Sequence, residues 1–456
     1  RGAGASSPPV AMTARLFGTD GIRTRFGEEP LVEPTVGRIG AALGRWLGER
    51  RPAPAVLLAG DTRGSSPTLA KWIARGLVSA GARPVDFGVL PTAAVARLVP
   101  SRGAAAGVVL SASHNPAEDN GIKLIDGDGF KWSERDENEL ERRLGSEPAP
   151  GGAEGAPLPR DSGGLRDYES ALLAELAEPH ALAGLRVALD FAHGAASGFE
   201  RLFGELGAAV EATGDAPDGG NINLGCGATH PDALAELVAA GGFDLGFAFD
   251  GDADRAILVD ERGAVRDGDA MLYLWARDLA ARGELAPPRI VATSMSNLGL
   301  ERALAAHGIG VERCDVGDRA VVETLRRERL RLGGEQSGHL LDLRRSTTGD
   351  GLLTALVLAQ IVRRAGVPVS ELLAGFRRYP QILLNVRVRS KPALATLPSV
   401  AAAARHVEDR LGADGRLVLR YSGTEPLARV MLEGPDDAVV RELALELAEV
   451  IRLELE

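Results

Sequence analysis

Three carboxylates recur at every second position in DLGFAFDGDADRAILVDERG (244–263): Asp250, Asp252 and Asp254. Packed into one turn they repel one another strongly unless a cation sits between them. A hard divalent ion with oxygen ligands is the natural occupant, and a Mg2+ site is expected here over a bare acidic turn. Glu261 stands at the twelfth position, as in an EF-hand loop, but Arg255 occupies the sixth, where that loop needs glycine. The flanks are strand-like, not helical. A HAD-type phosphatase would need threonine at Asp254.

Four further stretches carry polar groups that chemistry could use. In AGVVLSASHNPAEDNGIKLID (106–126) an apolar strand runs into Ser111, Ala112, Ser113, His114, Asn115 and Pro116. Residues just past the carboxyl end of a strand are where α/β domains bind ligands. Ser113 is a candidate nucleophile without a GxSxG elbow. In an extended chain His114 points away from it, which disfavours a Ser–His pair. A polar loop with an Asx turn before Pro116 is the alternative. In RLGGEQSGHLL (331–341), ahead of TTGDG (347–351), Glu335, Ser337 and His339 lie between glycines that let backbone approach a ligand. Such groups suit hydroxyls, or form a simple turn. RYSGTEPLAR (420–429) offers Arg420, Ser422, Gly423, Thr424 and Arg429, a set suited to a phosphate dianion or to a β-turn with surface arginines. RLFGTDGIRTRFG (15–27) places Arg23 and Arg25 in a glycine-containing loop. Neither GxxxxGK[ST] nor GxGxxG occurs, so nucleotide binding by those routes lacks support. A serine in a tight loop, a cation site, a polar reader and a phosphate clamp together describe phosphoryl transfer on a small sugar.

The elements that must position these groups follow one pattern three times. AVLLAGD (55–61) is an apolar strand followed by a helix, SPTLAKWIARGLVSAG, with Ser66 as N-cap, Pro67 at N1 and Gly81 at its end; PVDFG begins the next strand. LRVALDF (185–191) leads to a helix ending at Gly207 and then AAVEAT; PRIVATS (288–294) leads to one ending at Gly308 and then IGVERC. This predicts an α/β protein: three similar domains with mixed, largely parallel sheets. The last part differs. LLNVRVRS and GRLVLRYS alternate like half-exposed antiparallel strands, and DDAVVRELALELAEVIRLEL is an amphipathic helix, which predicts a smaller α+β domain. GSEPAPGGAEGAPLPRDSGG (145–164) reads as an exposed, mobile connector. The predicted division is a disordered extension 1–11, then domains 12–160, 161–265, 266–378 and 379–456. The first eleven residues lack an apolar core and are not expected to be a signal peptide; Met12 is a plausible start.

The chain's 456 residues are enough for several cores, and its composition, 45% hydrophobic and 25% charged, is that of a soluble globular protein. A net charge of −11 argues against nucleic acid or anionic membrane as the main partner while allowing a local basic pocket. Cys226 and Cys314 form no CxxC, no metal cluster and no disulfide framework, and are expected to be buried thiols. Only Lys71, Lys123, Lys131 and Lys391 are lysines, so a lysine inside a motif stands out.

In their order, FGTDGIR, SASHNP with NGIK, DGDADR, GGEQSGH and RYSGTEP resemble the motifs of the α-D-phosphohexomutase superfamily along essentially the whole chain. Gln336 within GGEQSGH, with PDGGNINLGCGATHP (217–231) and TSMSNLGLE (293–301), looks most like the bacterial phosphoglucosamine mutase branch. The resemblance implies four domains around one central cleft, each contributing a loop. It implies a phosphoserine at Ser113, with Lys123, Arg23 and His114 as further catalytic residues. One Mg2+ would be held by the Ser113 phosphate, Asp250, Asp252 and Asp254. Arg255, Glu335, Ser337 and His339 would meet the sugar phosphate, and Arg420, Ser422, Gly423, Thr424 and Arg429 would grip the non-reacting phosphate. The implied reaction interconverts D-glucosamine 6-phosphate and α-D-glucosamine 1-phosphate, with glucosamine or glucose 1,6-bisphosphate as activator and intermediate. A phosphorylated hexosamine is then the partner, with no nucleic acid or membrane, in a cytoplasmic monomer or homodimer feeding UDP-N-acetylglucosamine and cell-wall synthesis. A phosphomannomutase/phosphoglucomutase of the same superfamily is the alternative; an inactive sugar-phosphate-binding protein is a remote one. Three positions depart from the pattern. Ala253 replaces the commoner glycine and should leave ligation undisturbed; Ala93 and His193 lie outside the proposed chemistry.

Overall fold

AVLLAG and AGVVL are apolar without alternation, so both faces of these strands need cover. In the computed structural model, which describes residues 15–18, 20–145, 147–148, 158–176, 178–422 and 425–456, both strands lie inside a sheet. Ala55–Gly60 is flanked by Arg83–Val89 and Ala106–Leu110, parallel to each. Asp119–Ile125 then returns antiparallel beside Ala106–Leu110, and Ile22–Arg25 closes that edge. The second sheet repeats this plan. Arg186–Asp190 runs parallel to Ala209–Thr213 and Leu245–Phe249, and Ala256–Asp260 returns antiparallel. So does the third: Arg289–Thr293 is parallel to Gly310–Cys314 and Leu332–Gly334, with Leu340–Asp342 antiparallel. Gly81, Gly207 and Gly308, which follow the first helix of each repeat, all have positive φ, the conformation that stops a helix.

The repeat therefore extends one strand further than the strand–helix–strand reading. Its last connection, from the third parallel strand into the antiparallel one, is the segment holding Ser113, then Asp250–Asp254, then Glu335–His339. Three different chemistries occupy one topological position.

The fourth sheet is antiparallel, in the order Gln381–Arg387, Leu427–Glu433, Arg416–Tyr421, and is covered by helices Pro398–Leu411 and Asp437–Leu455. Its core, around Val386, Val400, Val430 and Leu443, is separate. One apolar cluster, by contrast, runs through the first three units, from Val109 through Phe247 to Trp275 and Leu356. Helix Gly351–Ala365 is buried over most of its length in that cluster. Among the described residues no helix is long and apolar enough to cross a membrane.

Several expectations are corrected. The helix after the first strand begins at Ser66, with Ser65 as its cap, because Ser66 Oγ turns inward to Asp61 Oδ1 and the Leu110 carbonyl, both at 3.3 Å. Cys226 and Cys314 are free and only half buried; burial first, then nearby carboxylates, push both thiols up to about 11. Half of the 145–164 connector, residues 146 and 149–157, and all of 1–11 lie outside the described residues. The connector's far end is ordered, with Arg160 bridging to Asp86 and a helix starting at Gly163.

Candidate active site

Ser113 has φ +54 and is fully buried, so the chain through SASHNP turns instead of continuing the strand. That turn aims its hydroxyl across to the second unit, where Ser113 Oγ donates to Asp250 Oδ2 at 2.5 Å. It also overturns the extended-chain expectation for His114. His114 Nδ1 lies 3.4 Å from Ser113 Oγ and 3.2 Å from Arg255 Nη1. Burial first, then the positive fields of Arg255 and Arg23, lower the imidazole to about 4. A neutral ring that accepts from Arg255 at Nδ1 carries its proton at Nε2.

Asp250, Asp252 and Asp254 are buried, and an oxygen from each lies within 4.8 Å of the others. Among the described residues, Asp252 Oδ1 and Asp254 Oδ1 are buried without a hydrogen-bond partner. Carboxylate oxygens left without hydrogen bonds and converging in a buried turn fit a divalent cation. Burial, with Asp254 and Asp252 adding, raises the Asp250 carboxyl well above the ordinary range. Burial works against Asp254 too, but Lys123, His339, Lys131 and Arg255 together hold it below that range. The methyl of Ala253, at φ +54, is buried in the core while the flanking carboxylates converge.

Lys123, on strand Asp119–Ile125, points the same way. Its Nζ is 2.7 Å from Asp252 Oδ2, 3.1 Å from Asp20 and 3.3 Å from Asp254. Burial disfavours its charge, but Asp20, Asp252 and Asp254 outweigh this and keep it an ammonium. Arg23 pairs with Asp20. From the third unit, His339 is buried with neither ring nitrogen hydrogen-bonded among the described residues; Nε2 lies 4.0 Å from Asp254 and 3.9 Å from Asp318. Glu335 accepts from the Gly317 N–H at 3.1 Å, and Ser337 is exposed.

Arg420 and Arg429 stand directly opposite each other on antiparallel strands. Among the described residues Arg420 has no hydrogen bond or ion pair; burial, then Arg429, lowers its guanidinium. Two facing cations with one unpartnered are an electrostatic debt that a dianion settles. Ser422 Oγ is 3.4 Å from Arg429 Nη2. Gly423 and Thr424 lie outside the described residues. The structure thus brings Ser113, His114, Lys123, the three aspartates, Arg255 and His339 together; no hydrogen bond or ion pair among the described residues ties the Arg420 group to them.

Sequence reasoning missed several neighbours. Thr92 Oγ1 donates to Asp252 Oδ2 at 2.5 Å. Lys131 pairs with Asp20 at 2.8 Å and with Asp318, linking the first and third units. Asp61 and Arg63 lie under the Ser113 loop. The signal for this last pair was available: DTR follows the strand Ala55–Gly60 at its carboxyl end, the same position that singled out Ser113.

Models for the domains of phosphoglucomutase/phosphomannomutase match in order. Alpha/beta/alpha domain I covers residues 14–149, domain II 166–263, domain III 267–379 and the C-terminal domain 383–450. A phosphoglucosamine mutase of Koribacter versatilis is 45% identical over 448 residues, 96% of each chain. The chain belongs to the phosphoglucosamine mutase family. Another member, from Bacillus licheniformis, is 43% identical across 97% of this chain and 99% of its own. Phosphoglucosamine mutases are phosphohexomutase isomerases, and this chain is one of these enzymes by descent and fold. Solved structures share the fold. A phosphoglucomutase/phosphomannomutase family protein from Burkholderia thailandensis superposes with TM-score 0.79 at 24% identity, covering 96% of this chain and 97% of that one. An N-acetylphosphoglucosamine mutase of Aspergillus fumigatus, in complex with GlcNAc-6P and magnesium, gives 0.68 at 18% identity, covering 99% and 100%.

Proposed function

We propose that this mutase interconverts D-glucosamine 6-phosphate and α-D-glucosamine 1-phosphate through a phosphoserine at Ser113 and a bound 1,6-bisphosphate. The observation that carries this is Ser113 Oγ held 2.5 Å from Asp250 within a cluster of three buried carboxylates. Asp250, Asp252, Asp254 and the Ser113 phosphate would hold Mg2+, which when bound neutralises charge on the transferring phosphoryl group. In each half-reaction the bond between Ser113 Oγ and phosphorus breaks as a sugar hydroxyl oxygen bonds to that phosphorus, and the hydroxyl proton ends on Ser113 Oγ; the reverse step returns both. Lys123 and Arg255 are fixed cations beside that path. Lys123, within 2.7 Å of Asp252 and 3.3 Å of Asp254, stabilises charge or transfers a proton. His114, neutral and turned toward Ser113 Oγ, and Arg23, beside Asp20, complete the proposed catalytic set.

Glu335, Ser337 and His339 read the sugar, and Arg420, Ser422, Gly423, Thr424 and Arg429 grip the idle phosphate. The division near 160, 265 and 378 belongs to the same proposal; the four sheets, confined to 22–125, 186–266, 289–342 and 381–433, support it. The substrate and product are charged sugar phosphates of internal metabolism, which supports a cytoplasmic site.

Turnover of glucosamine, glucose and mannose 6-phosphates should be compared, with and without a chelator. Highest kcat/KM for the amino sugar, loss of turnover on chelation, one phosphate mapping to Ser113, and no turnover in Ser113→Ala are expected. A higher kcat/KM for glucose or mannose 6-phosphate, or phosphate on Ser111 alone, overturns the reading.

A further inference from the structure

A residue with a Cβ is disfavoured in the left-handed region and persists there only where its surroundings impose it. Ser113 is such a residue, and both of its flanking peptide groups are held by side chains. Its N–H donates to Ser111 Oγ at 2.8 Å. Ser111 Oγ donates in turn to Asp61 Oδ2 at 2.5 Å, and that oxygen also accepts from Arg63 Nε at 2.9 Å. Arg63 then reaches back to the other side of the loop. Its Nη2 donates to the carbonyls of Ser113 at 3.0 Å and Asn115 at 2.8 Å. Its Nη1 donates to the carbonyls of Asp119 at 2.9 Å and Pro116. The guanidinium is fully buried and uses every N–H it has. A ring of hydrogen bonds therefore leaves Ser113 at its N–H and returns at its carbonyl.

A second hold comes from the unit that carries the aspartates. Asn223 Nδ2 donates to the same two carbonyls, Ser113 at 2.9 Å and Asn115 at 3.0 Å. The segment carrying Arg63 is joined to that unit as well: Gly64 N–H donates to the Gly219 carbonyl at 2.9 Å, and Thr62 Oγ1 to the His193 carbonyl at 2.5 Å.

We infer that Asp61, Arg63, Ser111 and Asn223 are positioning residues for the phosphoryl-carrying Ser113, holding its backbone in the left-handed turn that aims Oγ at the three aspartates. The inference rests on the reading of Ser113 as that carrier. It assigns Ser111 a role that excludes phosphorylation, since its hydroxyl proton is committed to Asp61. It also makes the alignment of Ser113 conditional on the second unit being seated, because Asn223 belongs to the unit that brings Asp250. A displacement of about 1 Å at a reacting atom costs roughly 100-fold in rate, so these hydrogen bonds act on turnover more than on substrate affinity.

The test compares Ser111→Ala, Asn223→Ala and Arg63→Lys with the wild type and with Ser113→Ala. It measures steady-state kcat and KM and single-turnover transfer from enzyme charged with glucose 1,6-bisphosphate. The expected result is a fall of roughly 10-fold or more in kcat and in the single-turnover rate, with KM for the sugar phosphate within about twofold. Losses in a Ser111→Ala/Asn223→Ala double variant should be less than the product of the single losses, because both act on one residue. Arg63→Lys keeps the charge but loses the fork; should it not fold, the two neutral truncations decide. A smaller fall in kcat in those truncations, or a loss carried equally by KM, overturns the inference. An active Ser113→Ala would instead overturn the phosphoserine reading, and this inference with it.

Discussion

Gly251 lies between Asp250 and Asp252, where a side chain would seem harmless, but a Cβ there would stand 2.5 Å from the Ser113 carbonyl oxygen and 3.0 Å from Asn223 Nδ2. The absence of a side chain is what lets the serine loop and the aspartate loop approach. Gly251→Ala is expected to push them apart and to lower turnover by roughly 100-fold while the protein stays folded; circular dichroism with kcat measurement checks both halves. The glycine was visible in DGDADR, but its reason was not, since the carbonyl it accommodates is remote in sequence. His114 teaches the same lesson in reverse. Alternation along an extended chain would carry it away from Ser113, and one left-handed residue brought it back.

At the scale of elements, helix Gly351–Ala365 begins on Asp350, whose Oδ1 accepts from the Leu353 N–H and from the Tyr168 hydroxyl, both at 2.9 Å. Burial dominates these contacts and holds the carboxyl up at about 6. An acid whose folded pKa lies above its unfolded one favours the folded state most at low pH. That contribution is lost as pH rises from about 4 to about 6, when the unfolded chain ionises first. Asn cannot ionise, and it caps helices as well as Asp. Relative to wild type, Asp350→Asn should therefore gain stability across this window, on the order of 1–3 kcal/mol, and keep it at pH 7. Thermal midpoints of the two proteins from pH 4 to 7 give the comparison; parallel curves would remove Asp350 from the pH dependence. The TTGDG stretch marked a turn in the sequence, but Tyr168 lies far away in the chain and was unforeseen.

Across the whole molecule, the first three units share one apolar cluster, while the fourth has its own and docks through polar contacts. Asn297 Nδ2 donates to the Tyr379 carbonyl at 3.0 Å, and Tyr379 N–H donates to Asn297 Oδ1 at 2.9 Å. Glu433 accepts from the Leu298 N–H at 3.1 Å. A unit held this way can shift at lower cost than one sharing a core. On the proposed reading it grips the idle phosphate while the intermediate turns round. Arg420→Ala should then raise KM for the sugar phosphate roughly 10- to 100-fold, the worth of one charged hydrogen-bonding group. It should also release bisphosphate, while Ser113 still accepts phosphate from added bisphosphate. Following product, bisphosphate and free phosphate in one time course tests this; unchanged substrate dependence without leakage would remove Arg420 from the clamp.

Local order was legible in the residues alone. Apolar runs must be buried, helix-stopping glycines need positive φ, and three carboxylates at alternate positions require a counter-charge, so the strands, helices and aspartate turn could be read without coordinates. The order of the motifs likewise carried the family. Contacts between segments remote in the chain could not be read this way, because no local preference specifies them. Packing decided that Ser113, the aspartates and His339 occupy the same connection of three repeated sheets. It turned Ser113 into the left-handed region, buried Arg63 beneath it, and set Asn223 and Asp250 of the next unit on either side.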